Sequence, residues 1–155
     1  MEFIYTLDGA GWALGSIKIN SQEAYFSPSY LSDALYILLK SLISVTPDLT
    51  PFPVKQATFE WMEEPGGTVW TLERADSKHL NVKISSYEDM YSKKELVTDL
   101  NETCLYIEFI QAVIIALDLI LQKHGVDGYK EKWINHEFPM KQYLLLKEFI
   151  VKASH

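Results

Sequence analysis

Residues 58–84 constrain the fold more than any other part of the chain. Thr58 to Met62 alternates polar and apolar side chains, with Phe59 and Trp61 on one face. Glu63-Glu64-Pro65-Gly66-Gly67 is a turn sequence, and Val69 to Arg74 returns with Trp70 and Leu72 inward. Asp76-Ser77-Lys78 turns the chain again, and Leu80, Val82 and Ile84 line one face of a further segment. A period of two between turn-forming residues is the signature of half-buried strands joined by hairpins. An antiparallel sheet with one apolar face follows, and that face needs helices to cover it.

The flanking segments extend this plan. Phe3 to Leu7 reads as a short strand, Asp8-Gly9-Ala10-Gly11 as a turn, and Trp12 to Asn20 as a second strand. The apolar set of the second strand changes face between Leu14 and Ile17. A β-bulge at Gly15 would bring Trp12, Leu14, Ile17 and Ile19 onto one side. Glu23 to Ser27 is the third strand. A helix follows, with Ser27 as its cap, Pro28 at its first position, and Leu31, Leu35, Leu38 and Leu42 at helical spacing. Thr46-Pro47 ends it.

Ser85 to Asn101 is polar and reads as loop with a short helix. Glu102 to His124 spans about six helical turns, with Gly125 as its stop. Tyr129 to His136 and Lys141 to Lys152 are two further helices. The expected architecture is one α+β domain over residues 1–155. It has one antiparallel sheet of five to six strands, a helix inserted after strand 3, and C-terminal helices packed on one face.

Composition narrows the function classes. The chain has 155 residues, 48% of them hydrophobic, which suits one folded domain and excludes intrinsic disorder. It carries 21 acidic against 14 basic residues for a net charge of −7, and Arg74 is its one arginine. Phosphate affinity rests mainly on Lys and Arg, so a nucleic-acid partner is not expected. No block of like charge or charged tail occurs. The single Cys104 excludes a disulfide framework and a cysteine-rich zinc site, and its apolar neighbours make it a core thiol. The N-terminus lacks the pattern of a signal peptide. The run from Cys104 to Leu121 is interrupted by Glu108, Gln111 and Asp118 and reads as a buried helix rather than a membrane span. A reducing, cytoplasmic setting is the expectation.

Two constellations stand out. Glu60, Glu63 and Glu64 surround the Pro65-Gly66-Gly67 turn; strand alternation puts Glu63 with Trp61 and sets Glu60 and Glu64 on the other face. Paired carboxylates can divide acid and base roles when their environments differ, although hairpin tips also collect solvated charge. Tyr129, Trp133 and His136 follow i, i+4, i+7 and form an aromatic stripe, the arrangement of a helix core face or of a partner-binding patch. The histidines at 79, 124, 136 and 155 have no metal-ligating spacing. No nucleophile elbow, P-loop or dinucleotide fingerprint is present. No catalytic residue, cofactor or metal is therefore expected.

Short motifs in order complete the reading. They are Gly11-Trp12-Ala13, the run Ser29 to Leu35 (SYLSDAL), Trp61 with Glu64-Pro65-Gly66, Trp70 to Arg74 (WTLER), Gly128-Tyr129 with Trp133, and Glu137-Phe138-Pro139. Together they resemble a family of small, mostly uncharacterised bacterial α+β proteins over nearly the whole chain. By fold-level analogy the resemblance also implies a likeness to immunity proteins, which neutralise a partner toxin.

The function expected is non-catalytic binding of a protein with a basic surface. Glu60, Trp61, Glu63, Glu64, Tyr129, Trp133 and His136 form the contact set if the hairpin and the 129–139 segment adjoin as one acidic, aromatic-rimmed surface. Two other readings stand beside it. One is a small hydrolase-like enzyme using Glu60, Glu63 or Glu64 with a histidine. The other is a homodimeric module using the aromatic stripe or a sheet edge.

Overall fold

The aromatic face of the central hairpins is covered from more than one side in the computed structural model, which describes residues 1–89, 91 and 93–154. Strands β1 (Glu2–Leu7), β2 (Ala13–Ile19) and β3 (Gln22–Phe26) form one antiparallel sheet. Strands β4 (Gln56–Met62), β5 (Gly67–Arg74), β6 (His79–Tyr87) and β7 (Val97–Leu105) form another. Helix α1 (Ala34–Val45) lies between β3 and β4 in the chain, and α2 (Tyr106–Lys132) and α3 (Met140–Ala153) follow β7. The molecule is therefore α+β with three α-helices among the described residues.

The core lies between these layers. Phe26 of β3 meets Trp61 of β4 at 5.2 Å and Trp70 of β5 at 5.5 Å between ring centroids. Trp61 and Trp70 are 4.7 Å apart, and Phe59 stacks on Trp70, its partner across the β4–β5 ladder. Leu35, Leu38, Leu39 and Leu42 of α1 are fully buried, as are Phe109, Ile110, Val113 and Leu117 of α2.

The single sheet expected from sequence is corrected to two sheets. β3 runs beside β7, but the bonds between them use side chains: the Asn101 N–H donates to the Gln22 side-chain oxygen at 2.9 Å, and the Asn20 amide donates to Glu102 at 3.0 Å. The backbone ladder does not continue across that seam, so the two sheets stay separate, joined through the contacts of Phe26 with Trp61 and Trp70.

Four local expectations are also revised. Residues 97–105 form β7, where a loop and a helix start were expected. Leu100 and Cys104 are buried among polar neighbours, so the strand carries too few apolar residues to show its period of two. Helix α1 begins at Ala34, not at Ser27–Pro28, because Ser29 is engaged by β4: its N–H donates to the Met62 carbonyl at 2.8 Å. Gly125 does interrupt α2, as expected, so the span is two helical legs, but the second leg has other bounds than the helix expected over 129–136. At φ 70°, ψ 177° Gly125 leaves the helical region and ends the first leg, and the second leg runs on to Lys132 instead of His136.

There is, lastly, no bulge at Gly15. β1 and β2 pair in unbroken register from Glu2↔Lys18 to Leu7↔Ala13. Ala13, Ile17 and Ile19 are buried and Leu14 is 48% exposed. Gly15 takes the inward position because a Cβ there would fall on the Ile4 carbonyl oxygen and the Phe26 ring.

Helix α2 is long and apolar enough to cross a membrane by length and composition. In this structure one side of it is packed in the core, while Ile115 and Leu119 are exposed. Cys104 is buried on β7, and burial, then the Glu108 charge, push its thiol up to about 12.

The register generates a test by paired substitutions. Gly15→Ala should destabilise the protein by about 1–3 kcal/mol through overpacking. Leu14→Ala should stay within about 0.5 kcal/mol. Urea unfolding midpoints measure both, and a bulged strand with Leu14 in the core would reverse the order.

Candidate functional site

The β4–β5 hairpin ends in a tight turn. Met62 pairs with Gly67 as the last step of the ladder, and the Glu63 N–H donates to the Gly66 carbonyl at 2.8 Å. The Glu64–Pro65 peptide is cis. Pairing of β5 with β6 sets Tyr87 opposite Gly67. Strand alternation then gives the carboxylates of the hairpin two different environments.

Glu60 lies on the outer face of the sheet. It accepts a hydrogen bond from the Tyr87 hydroxyl and pairs with Lys93 Nζ at 2.8 Å. Lys93 Nζ also lies 5.6 Å from the centre of the Tyr87 ring. Partial burial pushes the Glu60 carboxyl up, but the bonds from Lys93 and Tyr87 and the Lys93 charge outweigh it, leaving Glu60 below its ordinary value of 4.5. Burial first, then the Glu60 bond and charge and the Glu63 charge, hold the Tyr87 hydroxyl well above the usual tyrosine range.

Glu63 follows the face of Trp61. It is half-buried and accepts a hydrogen bond from the Ser27 backbone N–H, yet burial and the nearby Asp99 charge hold it above 4.5. Glu64, next in the chain, is exposed.

Two clefts flank this tip. One, of about 450 Å³, runs between β3, the turn and the neighbouring ends of β6 and β7. Its acidic lining residues are Glu23, Glu63, Glu64, Glu88 and Asp99, and no Lys, Arg or His lines it among the described residues. The other, of about 530 Å³, lies across the tip and is lined by Leu31, Met62, Pro65, Tyr87 and Tyr91 together with Glu63, Glu64 and Asp89. The turn is thus a wall with a carboxylate-rich hollow on one side and a largely apolar one on the other.

The 129–139 segment reaches the hairpin through the loop of residues 28–33. The Met62 N–H donates to Ser32 Oγ at 2.7 Å, and the Trp133 indole N–H donates to the Ser32 carbonyl at 3.1 Å. Tyr5 touches both tryptophans, at 5.8 Å from Trp61 and 6.3 Å from Trp133.

The expected aromatic rim is corrected, however. Trp61, Tyr129 and Trp133 are fully buried and hold the core together, so none of the three offers a surface to a partner or a second copy. Of the expected contact residues, Glu60, Glu63 and Glu64 gather at the tip. His136 lies across the loop with Nδ1 3.7 Å from Asp33 and Nε2 2.9 Å from the Tyr30 carbonyl. His79 pairs with Asp76, and His155 lies outside the described residues. No cluster of three His, Cys, Asp or Glu side chains suited to a metal ion occurs among the described residues.

Sequence reasoning passed over Tyr87, Glu23, Asp99 and Leu31. Tyr87 was within reach: continuing the period of two past Ile84 puts Lys83, Ser85 and Tyr87 on the face of Glu60. Asp99 was not, because it is the extra residue where the β6–β7 register shifts between Ile84 and Ser85. No family model, curated protein or solved structure matches the chain.

The two glutamates should show opposite linkage. Glu60, lowered in the folded state, contributes stability that is present above 4.5 and lost as the pH falls through its folded pKa. Glu63, raised in the folded state, costs stability above its folded pKa, and that cost is relieved as the pH falls toward 4.5. At pH 7, Glu60→Gln should lower the Tm, by no more than about 1 kcal/mol in stability given solvent screening. Glu63→Gln should raise it. Thermal unfolding from pH 7 to pH 3 should show both differences closing.

Proposed function

We propose that this protein is a non-catalytic binding module that grips a basic segment of a protein partner in the acidic cleft beside the Glu63–Gly66 turn. The observation that carries the reading is the lining of that cleft: five acidic residues from four parts of the fold, with no basic side chain among the described residues to neutralise them. Glu63 is costly to the fold as it stands, held above its ordinary value first by burial and then by the Asp99 charge. A lysine or arginine side chain from outside relieves that cost. The adjoining cleft, lined by Leu31, Met62, Pro65 and Tyr91, suits an apolar neighbour of the basic residue.

The net charge of −7 favours fast, salt-sensitive encounter with a basic surface. The resemblance to a family of small bacterial proteins, with the fold-level analogy to immunity proteins, makes a basic toxin the partner class of first choice, in a cytoplasmic setting that suits the reduced, buried Cys104. Nucleic acid is disfavoured by the same charge.

A hydrolase-like enzyme is the second reading. It is favoured by Glu60 and Glu63, whose carboxyls are pushed in opposite directions on either side of Tyr87. The histidine it called for is not among the residues lining either cleft, so Tyr87 is the remaining partner for proton transfer.

Titration of the isotope-labelled protein with a short Lys/Arg-rich peptide tests the binding reading. Amide shifts should concentrate at residues 23–25, 63–68 and 86–88 at low ionic strength. They should vanish in high salt and in the Glu63→Lys/Glu64→Lys variant. Equal shifts with a neutral peptide of the same length, or shifts confined to another face, would sink the reading.

A further inference from the structure

Asp33 precedes α1 but does not cap it with its side chain. Its carboxylate is divided between two surroundings. Oδ2 faces His136 Nδ1 at 3.7 Å, near the surface. Oδ1 is buried and has no hydrogen-bond partner among the described residues. Two other buried oxygens share that condition, the hydroxyls of Tyr5 and Tyr129. Two of the three residues pack on one indole, and the third adjoins the residue that this indole bonds. The Tyr5 and Tyr129 rings lie 6.3 and 6.4 Å from the Trp133 ring, and the Trp133 N–H holds the Ser32 carbonyl beside Asp33.

The three oxygens also act on one another electrically. Burial first, then the Tyr129 hydroxyl and the Asp33 charge, raise the Tyr5 hydroxyl well above its ordinary value. Burial and the Asp33 charge do the same to Tyr129. Neither hydroxyl is ionised at neutral pH, so each is an O–H donor with nothing among the described residues to receive it.

Buried polar groups in folded proteins are nearly always satisfied, by protein or by ordered water. The inventory here is two O–H donors and one carboxylate acceptor. A water molecule complements that set: it accepts from both hydroxyls with its lone pairs and donates one proton to the carboxylate. Three bonds is the ordinary number for an internal water. A metal ion would find only three oxygen ligands, too few for Ca²⁺, and no metal-ligating cluster exists among the described residues.

We propose that Tyr5, Tyr129 and Asp33 Oδ1 together bind one internal water, which ties β1 and the second leg of α2 to the 28–33 loop. The consequence reaches the surface. The same loop pairs with the end of β4 through Ser29 and Ser32 and supplies Leu31 to the apolar cleft. The water is thus a structural ligand whose loss loosens one wall of the hairpin site, and it is required whether or not that site binds a basic partner.

The test is a thermodynamic cycle on the full chain with Tyr5→Phe, Tyr129→Phe and the double variant. A shared water predicts that either single change raises the unfolding equilibrium constant roughly two- to tenfold. The second change should then add little, because the water has already lost its site. Hydroxyls that are merely orphaned predict the opposite, since each Phe leaves stability unchanged or higher and the effects add. A high-resolution crystal structure of the wild-type protein supplies the second readout. One solvent peak within hydrogen-bond distance of all three oxygens supports the proposal. Absence of that peak overturns it, even if a variant fails to fold.

Discussion

Three indoles are fully buried, and each must place its N–H. Burying Trp61, Trp70 and Trp133 removes large apolar areas from water, but an unpaired indole donor in the core would cancel much of that gain. Trp70 finds Thr68 Oγ1 on its own strand at 3.0 Å. Trp61 donates to the Ala34 carbonyl at 2.9 Å, and Trp133 to the Ser32 carbonyl at 3.1 Å. Two tryptophans from distant parts of the sequence thus end on Ser32 and Ala34, the residues on either side of Asp33. Helix α1 begins there without a side-chain cap, so its start is fixed by these contacts and by the leucine face that it buries.

The same stretch settles what happens to an exposed strand edge. β4 is an edge strand, and a free edge of that kind invites pairing with other chains. At its end, Ser29 and Ser32 take the place of a neighbouring strand, accepting and donating at both the N–H and the carbonyl of Met62. The carboxylates of the turn are therefore carried on a braced base. Nothing in the packing calls for acid at Glu63, whose side chain is half out of water and held above its ordinary pKa. Core packing accounts for Trp61 and Phe59 along the same strand but not for the charge next to them.

The legible parts of the fold were those where one period dominates. Phe59, Trp61, Trp70, Leu72, Leu80, Val82 and Ile84 alternate cleanly, and all are buried. Helix α1 and the first leg of α2 show their apolar faces equally plainly. What escaped were features decided by single contacts. β7 has only Leu100 and Cys104 to mark its inner face, and the seam between the sheets depends on Gln22 and Asn20 side chains that no periodicity reveals. Gly15 was misread because a missing side chain looks like a break in pattern, when the Phe26 ring simply occupies its place. The site divides the same way. The glutamates were visible as a cluster at a turn. The helical spacing of Tyr129 and Trp133 was equally visible, but spacing alone does not say whether a stripe faces the core or a partner.

That ambiguity resolves into a division of labour along the 28–33 loop. On its inner side the loop meets Trp133, and its Asp33 carries a buried carboxylate oxygen. On its outer side it offers Leu31 to the apolar cleft and engages the end of β4. Interiors pack as densely as crystals and yield little to local strain. A loop held at Met62, Trp133 and Gly11, whose carbonyl accepts from Tyr30, cannot shift at one anchor without disturbing the others. Support of this kind fixes the base of the turn that carries Glu63 and Glu64. The acidic turn is thus tied to the core as well as to the surface: the loop that receives the Trp61 and Trp133 indole bonds also braces Met62, the residue before Glu63.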